Sequence, residues 1–182
     1  MAPRTGRKAR PPLDAAKLDE LALAYVGRFA TTKARLSSYL SRKLRERGWA
    51  GDRSADVEGI VERLAGLGYV DDAAYALSKS RALSSRGYGL RRVNDSLRSA
   101  GIDDEDAVPA REFAETEAVA AALRFAQRRR FGPYGDRRRD GPERERALAA
   151  MIRAGHSFAL AKAILSLEPG STVDMDLLAQ SG

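Results

Sequence analysis

Leu44-Arg45-Glu46-Arg47-Gly48-Trp49 forms a helix-end pattern that returns twice more along this chain. Its counterparts are Leu97-Arg98-Ser99-Ala100-Gly101-Ile102 and Met151-Ile152-Arg153-Ala154-Gly155-His156, and the three glycines stand 53 and 54 residues apart. A large apolar residue lies four positions before each glycine, where it faces the core one turn before the helix ends. A helical pattern precedes and follows each copy, so the sequence predicts a repeat of roughly fifty residues.

The apolar periodicity on either side of these ends predicts three helices in each repeat. The apolar faces of the first two helices are expected to consist of Leu18, Leu21, Tyr25 and Phe29, and of Leu36, Leu40 and Leu44. No alternating run is long enough for a strand. Pro109 is expected at the first position of a helix, with Asp106 or Ala107 just outside, because an interior proline would remove a hydrogen bond. The predicted helices are 13–29, 32–47 and 54–67, then 71–85, 89–100 and 103–113, and finally 115–131, 142–154 and 157–167.

The predicted fold class is all-α, with three tandem three-helix repeats in an extended, curved modular array. Stacked repeats of this kind offer a long surface, which suits a long partner better than a small molecule. The third repeat carries an arginine-rich loop insertion at 132–142. The predicted segments are a basic flexible arm (1–12), repeat 1 (13–68), repeat 2 (69–114), repeat 3 (115–168) and a frayed or loosely docked C-terminal tail (169–182).

The charge of this 182-residue chain, +7 at neutral pH, indicates a polyanionic partner. Nucleic acid is the commonest such partner and an acidic protein surface the next, although a basic surface also serves solubility alone.

The absence of cysteine excludes disulfides and thiolate metal sites. Charged residues interrupt every apolar run and no secretory signal stands at the start, so we expect a cytoplasmic protein without a membrane segment.

The most distinctive joint between helices is Gly68-Tyr69-Val70-Asp71-Asp72-Ala73-Ala74-Tyr75-Ala76. Gly68 is expected to end one helix, and Tyr69 and Val70 to pack across the joint. Asp71 or Asp72 is expected to cap the next helix by accepting a backbone N–H bond. A metal pair is less favoured, because the two adjacent carboxylates diverge and no further acidic residue stands at a suitable spacing.

This joint resembles that of the RecX family of regulatory proteins. In that family an aromatic–Ala pair follows the joint, and Tyr75-Ala76 matches it. We expect the ring of Tyr75 in the core. The family also has an arginine in the next turn, matched by Arg81. The turn Arg86-Gly87-Tyr88-Gly89 and the helix end Ala100-Gly101-Ile102 also match the family, as does Tyr25-Val26-Gly27-Arg28-Phe29 in the first repeat. The chain departs from the family pattern at Lys79-Ser80, at Thr31-Thr32 and in the arginine-rich insertion.

The resemblance implies a non-enzymatic regulator that binds the RecA–single-stranded-DNA filament along its groove and suppresses filament growth or activity. Strand exchange, ATP hydrolysis and co-protease action would fall, which places the protein in DNA repair and the SOS response. No cofactor is expected, and we expect a monomer. The alternative that the composition leaves open is an architectural protein that binds DNA directly through the same basic face.

Basic side chains recur on the helices of all three repeats and are the candidate contacts to RecA or to single- or double-stranded DNA. Arginine suits bidentate pairing with carboxylate or phosphate, although any single one has an ordinary alternative as a solvated helix face. The predicted basic face consists of Arg28, Arg35, Arg42, Lys43, Arg81, Arg86, Arg91, Arg92, Arg128, Arg129 and Arg130.

The densest basic patch is Arg128-Arg129-Arg130-Phe131 followed by Arg137-Arg138-Arg139. Phe131 and Tyr134 stand between these arginines, where aromatic rings would stack on nucleic acid bases. The alternative interpretation is a helix end and a loop with no partner.

No catalytic residue and no metal site are predicted. His156 is the only histidine and, like Trp49, follows a helix-ending glycine, so both are expected to pack. The run Asp103-Asp104-Glu105-Asp106 is expected to start a helix and lacks the spacing of a calcium loop. The chain has no Walker-type glycine loop and no triad around its histidine, which argues against an ATPase or a hydrolase, and no cluster of carboxylates indicates a metal-dependent nuclease.

Overall fold

A computed structural model describes residues 11–180 of the chain. This part contains no β-strand, and one isolated bridge pairs Leu13 with Trp49. The all-α fold class is therefore confirmed. The chain divides between Asp72 and Ala73 into two compact units. Residues 1–10 of the predicted basic arm lie outside the described residues, so the arm stays a prediction.

The first unit consists of α1 (Ala15–Val26), α2 (Lys33–Arg47) and α3 (Val57–Gly66). Leu18, Leu36 and Leu40 are fully buried in its core, as their helical spacing predicts. Burial of leucine side chains at these positions contributes to the hydrophobic stabilisation of the unit. Because α1 ends at Val26, Phe29 lies beyond the helix and is 55% exposed, against the expectation that it faces the core.

Two helix starts in the first unit are held by distant residues. The amide of Leu13 donates to the carbonyl of Gly48 at 2.9 Å, and that of Ala50 donates to the carbonyl of Leu13 at 2.8 Å. At the start of α2, the buried carboxylate of Asp72 accepts a hydrogen bond from the amide of Lys33 at 2.9 Å. Asp72 is thus a cap for α2, a helix that begins 39 residues earlier.

The Gly-Tyr-Val-Asp-Asp joint has the predicted helix end but not all of the predicted packing. Gly68 has φ of +77°, and the amide of Tyr69 donates to the carbonyl of Leu64 at 2.9 Å, which closes α3 in a Schellman motif. Val70 is buried as expected. Tyr69 is 56% exposed, so its predicted packing across the joint is wrong. The hydrogen bond from the Tyr69 amide fixes only the backbone of this residue and leaves its ring exposed.

The second unit holds most of the helices. Two clusters of buried side chains form its core, one around Val93 and Leu97 and the other around Met151 and Ile164. Tyr88 packs against both clusters. The helices are α4 (Asp72–Ser85, its first residue at the unit boundary), α5 (Leu90–Ser99), α6 (Val108–Thr116), α7 (Ala118–Arg129), α8 (Gly141–Arg153), α9 (Phe158–Ser166) and α10 (Met175–Ala179).

The start of α6 differs from the prediction. The acidic run 103–106 forms a turn instead of a helix start, with the carboxylate of Asp103 accepting from the amide of Asp106 at 2.8 Å. The helix begins at Val108, which leaves Ala107 outside as expected and puts Pro109 at the second position. A proline is tolerated there because amides in the first turn of a helix have no intrahelical partner.

The end of the chain also differs from the prediction of a loosely docked tail. Residues 175–179 form α10, whose start is capped by the carboxylate of Asp174. Leu178 from this helix is 4% exposed and belongs to the same core cluster as α7, α8 and α9. Earlier, in the insertion, a short 3-10 helix (Gly132–Tyr134) precedes α8.

The three repeat glycines end helices as the sequence predicts. Gly48, Gly101 and Gly155 have φ of +79°, +71° and +97°, a backbone conformation that glycine adopts without strain. The predicted boundary between residues 114 and 115 falls inside α6. The division into three repeats and the extended, curved array stay predictions.

Candidate partner-binding surface

The turn Gly87-Tyr88-Gly89 between α4 and α5 positions the ring of Tyr88. Gly87 has φ of +77°, and the amide of Tyr88 donates to the carbonyl of Leu83 at 3.0 Å. The amide of Gly89 donates to the carbonyl of Ala154 at 2.9 Å. A Cβ atom on Gly89 would lie 2.4 Å from the carbonyl oxygen of Gly155. Glycine is therefore required for the backbones of this turn and of the end of α8 to meet.

His156 supports the same turn from within the core. Its Nε2 lies 3.1 Å from the carbonyl oxygen of Gly87, and its ring centroid lies 5.7 Å from that of Phe125. Burial lowers the pKa of His156 to about 4, so the ring is neutral near neutral pH and Nε2 donates to Gly87. His156 is 2% exposed, which confirms the expectation that it packs.

Two adjacent recesses lie on either side of Tyr88 and share Tyr88 and Arg86 in their linings. The smaller has a volume of about 370 Å³ and the larger about 670 Å³. We call them together the Tyr88 surface. The smaller recess is further lined by Lys79, Arg92, Asp95, Ser96 and Ser99, and the larger by Phe125, Arg128, Arg129 and Arg153.

The Tyr88 surface is strongly cationic. Six basic side chains line it, and Asp95, which is itself paired with Arg98 at 2.8 Å, is the one carboxylate among its lining residues. Within residues 11–180, no carboxylate oxygen lies within 4.0 Å of any of the six basic groups. Their charge is therefore available to an incoming anion without an existing ion pair having to break. The six are Lys79, Arg86, Arg92, Arg128, Arg129 and Arg153.

Aromatic rings and a backbone carbonyl orient several of these arginines. The guanidinium of Arg86 lies 5.7 Å from the ring centroid of Tyr88, and that of Arg128 lies 5.4 Å from that of Phe125. Arg129 also lies over Phe125, at 5.8 Å. Nη1 of Arg128 donates to the carbonyl of Arg86 at 2.6 Å, which joins the end of α7 to the end of α4. Contacts of this kind pre-orient long side chains that would otherwise lose entropy on binding.

Two of the three arginines in the insertion pair with acidic neighbours, and the third donates to a backbone carbonyl. Arg137 donates to both carboxylate oxygens of Glu143, at 2.9 and 2.8 Å, and this hydrogen bond lowers the pKa of Glu143. Arg138 pairs with Glu168. Arg139 donates to the carbonyl of Arg130 at 2.5 Å. The arginine cluster of the insertion, Arg137 to Arg139, is therefore already engaged within the unit.

The aromatic residues of that cluster are also engaged. Phe131 and Tyr134 are partly buried against the core, and Arg139 lies over the Phe131 ring at 5.1 Å. The expectation that these two rings stack on bases has no support in this arrangement. Tyr88, known from the sequence only as part of a matching turn, and Phe125 line the cationic recesses instead.

The structure brings together some of the predicted basic face. Arg86, Arg92, Arg128 and Arg129 meet at the Tyr88 surface, whereas Arg81, Arg91 and Arg130 do not line it. Arg81 lies over Phe113 at 5.6 Å. The predicted residues of the first unit are Arg28, Arg35, Arg42 and Lys43.

In the first unit, Arg42 and Lys43 both contact Glu46, at 3.9 and 2.7 Å, and lie near the ring of Tyr39. Lys79 and Arg153 line the Tyr88 surface but stood outside the predicted face. The spacing of seven residues between Lys79 and Arg86, and the place of Arg153 at the end of α8, were signals for them, but neither is specific.

Residues 11–180 hold no group of three or more histidine or acidic side chains placed to bind a metal ion. None of their helices has both the length and the apolar character that a bilayer crossing requires.

Comparison with known proteins places this chain in a family. No protein-family model matches the chain. The regulatory protein RecX of Myxococcus xanthus (strain DK1622) is 34% identical over 177 residues, which cover 92% of this chain and 91% of that protein. This chain belongs to the RecX family. The regulatory protein RecX of Mycobacterium sp. (strain KMS) is 31% identical over 173 residues, again 91% of each chain.

Solved structures of RecX proteins have the same fold. A crystal structure of regulatory protein RecX matches with a TM-score of 0.62 at 26% identity, over 82% of this chain and 72% of that one. RecX from Lactobacillus salivarius matches with a TM-score of 0.59 at 20% identity, over 83% of this chain and 94% of that one. The resemblance seen in the sequence is thus confirmed at the level of the family and of the helical fold.

Proposed function

We propose that this RecX-family chain is a non-enzymatic regulator that binds the RecA–single-stranded-DNA filament and inhibits it. ATP hydrolysis, strand exchange and co-protease action of RecA would all fall, within DNA repair and the SOS response. Membership of a family of regulatory proteins supports this proposal. We further propose that the chain acts in the cytoplasm as a monomer.

The Tyr88 surface is the observation that carries the proposal. Six basic groups without carboxylate partners in residues 11–180 create a positive potential that attracts a polyanion. A RecA filament on DNA offers phosphates and acidic side chains, and arginine pairs with both in a bidentate manner. Such pairs steer association and fix orientation across an interface.

The decisive experiment is RecA ATPase on single-stranded DNA, titrated with the full chain at sub-stoichiometric amounts. Inhibition well below one molecule per RecA subunit would support action on filament growth or integrity. A chain that leaves the ATPase unchanged even at excess would contradict the proposal.

A matched pair of variants locates the inhibitory surface. Arg128→Gln/Arg129→Gln/Arg153→Gln removes three charges from the larger recess, and Arg137→Gln/Arg144→Gln/Arg146→Gln removes three elsewhere in the same unit. We expect the first set to weaken inhibition by about tenfold, which corresponds to about 1.4 kcal/mol of binding free energy. The second set should leave inhibition within about twofold. Equal losses would mean that net charge, and not the recess, determines inhibition.

A second candidate function is direct binding to DNA as an architectural protein. The two aromatic rings among the unpaired cations favour it, because such surfaces also hold nucleic acid strands. This function requires tight binding to naked DNA, with an affinity that falls steeply as salt rises. Tight naked-DNA binding without RecA inhibition would favour it over the filament regulator.

A further inference from the structure

The smaller recess of the Tyr88 surface differs from the larger one in the chemistry of its walls. Both carry arginine and the ring of Tyr88, but the smaller adds Asp95 and the two serines, Ser96 and Ser99. Cations, one aromatic ring, one carboxylate and hydroxyl groups thus surround a single volume of about 370 Å³. A uniform helix surface that served only to attract a polyanion would not need this mixture.

We propose that the smaller recess binds one nucleotide unit. Its phosphates would pair with Lys79 and Arg92, and its base would lie against Arg86 and Tyr88. The ligand chemistry is a phosphate joined to a sugar and a planar base, supplied either by a free nucleotide or by one nucleotide of a single strand. The inference concerns part of the surface that the proposed function uses, but it does not depend on RecA.

The base-binding part of the site rests on the pair Arg86 and Tyr88. The guanidinium of Arg86 lies 5.7 Å from the Tyr88 ring centroid, and nucleic acid bases stack on guanidinium planes as well as on aromatic rings. The turn that carries Tyr88 is fixed by the bond from Gly89 to Ala154 at 2.9 Å and by His156 beneath Gly87. The ring of Tyr88 also packs against both core clusters of the unit, so it offers stacking with little entropy left to lose.

The phosphate-binding part of the site rests on Lys79 in α4 and Arg92 in α5. Neither has a carboxylate within 4.0 Å in the described part of the chain, so a phosphate would be their first strong acceptor. Two cations from different helices converge on one recess, which suits a multiply charged group better than a single carboxylate.

Asp95 suits the ribose hydroxyls that a free ribonucleotide carries and a nucleotide within a DNA strand lacks, and it opposes a purely anionic ligand. One of its oxygens accepts from Arg98 at 2.8 Å, and a carboxylate oxygen can accept further hydrogen bonds from hydroxyl groups. Acidic residues bind ribose hydroxyls in this way in dinucleotide-binding proteins. The same charge would repel a bare polyphosphate, so the recess should distinguish a nucleotide from inorganic phosphate chains.

Binding to the full chain without RecA tests this inference. The probes are ATP, inorganic tripolyphosphate, adenosine and a single-stranded oligothymidylate of about twelve nucleotides, a length within the range that single-strand sites cover. Calorimetric titration gives each Kd. We expect ATP to bind about tenfold more tightly than tripolyphosphate and adenosine, because only ATP engages both parts of the site.

Three variants and one control separate the contributions. Lys79→Gln/Arg92→Gln should weaken ATP binding by about tenfold. Tyr88→Leu should weaken ATP by about fivefold or more and leave tripolyphosphate unchanged, whereas Tyr88→Phe keeps the ring and should stay within about twofold. Arg144→Gln/Arg146→Gln, with equal loss of charge outside the recess, should have no effect. Thermal unfolding of each variant verifies that it is folded.

The outcomes also distinguish the two sources of the nucleotide. ATP binding that depends on Tyr88, and that the oligonucleotide competes away, assigns the recess to free nucleotides and strands alike. Binding of the oligonucleotide alone, with the same dependence on Tyr88, assigns it to a strand. Tripolyphosphate binding as tight as ATP, or no effect of Tyr88→Leu on any probe, overturns the inference. Because RecA is absent, RecA inhibition by a chain that binds no probe would leave the proposed function standing.

Discussion

Gly89 and Gly155 show how single residues fix the position of the candidate surface. A Cβ atom at Gly155 would lie 2.5 Å from the amide nitrogen of Arg92, and one at Gly89 would lie 2.4 Å from the carbonyl oxygen of Gly155. These contacts are to backbone atoms, which cannot move aside as a flexible side chain can. The ends of α4, α5 and α8 therefore meet only because both residues lack side chains.

Arg130 occupies a position that the other helix ends give to glycine. It is the one non-glycine residue with positive φ in the described residues, at +55°, and it closes α7 with the amide of Phe131 bonded to the carbonyl of Ala126 at 2.8 Å. A side chain in this conformation costs roughly 1 kcal/mol. We expect Arg130→Gly to raise the free energy of unfolding by up to about that amount, measured by urea denaturation. Arg129→Gly, still inside α7, should lower it by a few tenths to about 1 kcal/mol. Destabilisation by both variants would contradict this account of Arg130.

His156 makes the stability of the second unit depend on pH. Its pKa is about 4 in the fold because burial disfavours the charged ring, against about 6.5 when unfolded. Between these values the unfolded chain binds a proton that the folded chain does not, so stability is fully present above pH 6.5 and falls as pH falls toward 4. The loss amounts to about 3 kcal/mol.

Urea denaturation between pH 7.5 and 4.5 measures this loss in the wild type and in His156→Phe. The carboxylates titrate in both proteins, so the difference between the two profiles isolates the histidine. We expect the wild type to lose more stability than the variant over this range. Parallel profiles would show that His156 keeps its ordinary pKa.

At the scale of helices, the sequence predicted the element order well and the long-range contacts poorly. Helical spacing found Leu18, Leu36 and Leu40 in the core, because an apolar stripe determines which face of a helix is buried. It did not find the contact of Asp72 with Lys33, since the partner of a capping group across 39 residues depends on tertiary packing. It also took the exposed Tyr69 for a packed residue, because an aromatic type alone does not fix burial.

The same limit applies to the candidate surface. Arg128 and Arg129 were found by their density in the sequence, and so were the arginines at 137–139, yet only the first pair line the recess. Ion pairs such as Arg138 with Glu168 join residues that are 30 positions apart, and no local sequence pattern predicts such pairs. Charge density predicts where cations lie along the chain, whereas pairing decides which of them remain available.

The cap on α2 gives a prediction at this scale. Asp72 is 6% exposed, and its carboxylate accepts a hydrogen bond from the backbone amide of Lys33, the first residue of α2. We expect Asp72→Ala to lower the free energy of unfolding by about 1–2 kcal/mol, because the partly buried amide of Lys33 loses its partner at the positive end of the helix dipole. Asp72→Asn keeps an acceptor and should recover part of the loss. Asp52 is exposed, and Asp52→Ala serves as a control whose free energy of unfolding should lie within about 0.5 kcal/mol of wild type. Equal effects of all three in urea denaturation would show that the cap contributes nothing.

Across the whole molecule, the two units differ in how their basic residues are engaged. In the first, Arg42 and Lys43 contact Glu46 and flank Tyr39, and Lys33 lies 3.9 Å from Glu62. In the second, the basic groups of the Tyr88 surface have no carboxylate partner within residues 11–180. A partner that binds Arg42 and Lys43 must compete with existing ion pairs, whereas the Tyr88 surface offers its charge directly. On this ground the Tyr88 surface should contribute more to polyanion binding than Arg42 and Lys43 do.

Two double variants with equal loss of charge test that difference. Arg128→Gln/Arg129→Gln removes charge from the Tyr88 surface, and Arg42→Gln/Lys43→Gln removes it from the first unit. The first variant should weaken RecA ATPase inhibition by about five- to tenfold. The second should weaken it by less than about twofold, because Arg42 and Lys43 must break their ion pairs with Glu46 before they can pair with a partner. Raising salt from about 50 to 200 mM should shrink the first effect, since counterions screen exposed charges. A larger loss from the first-unit variant would show that this unit leads the contact and that its ion pairs with Glu46 exchange readily for the partner's anions.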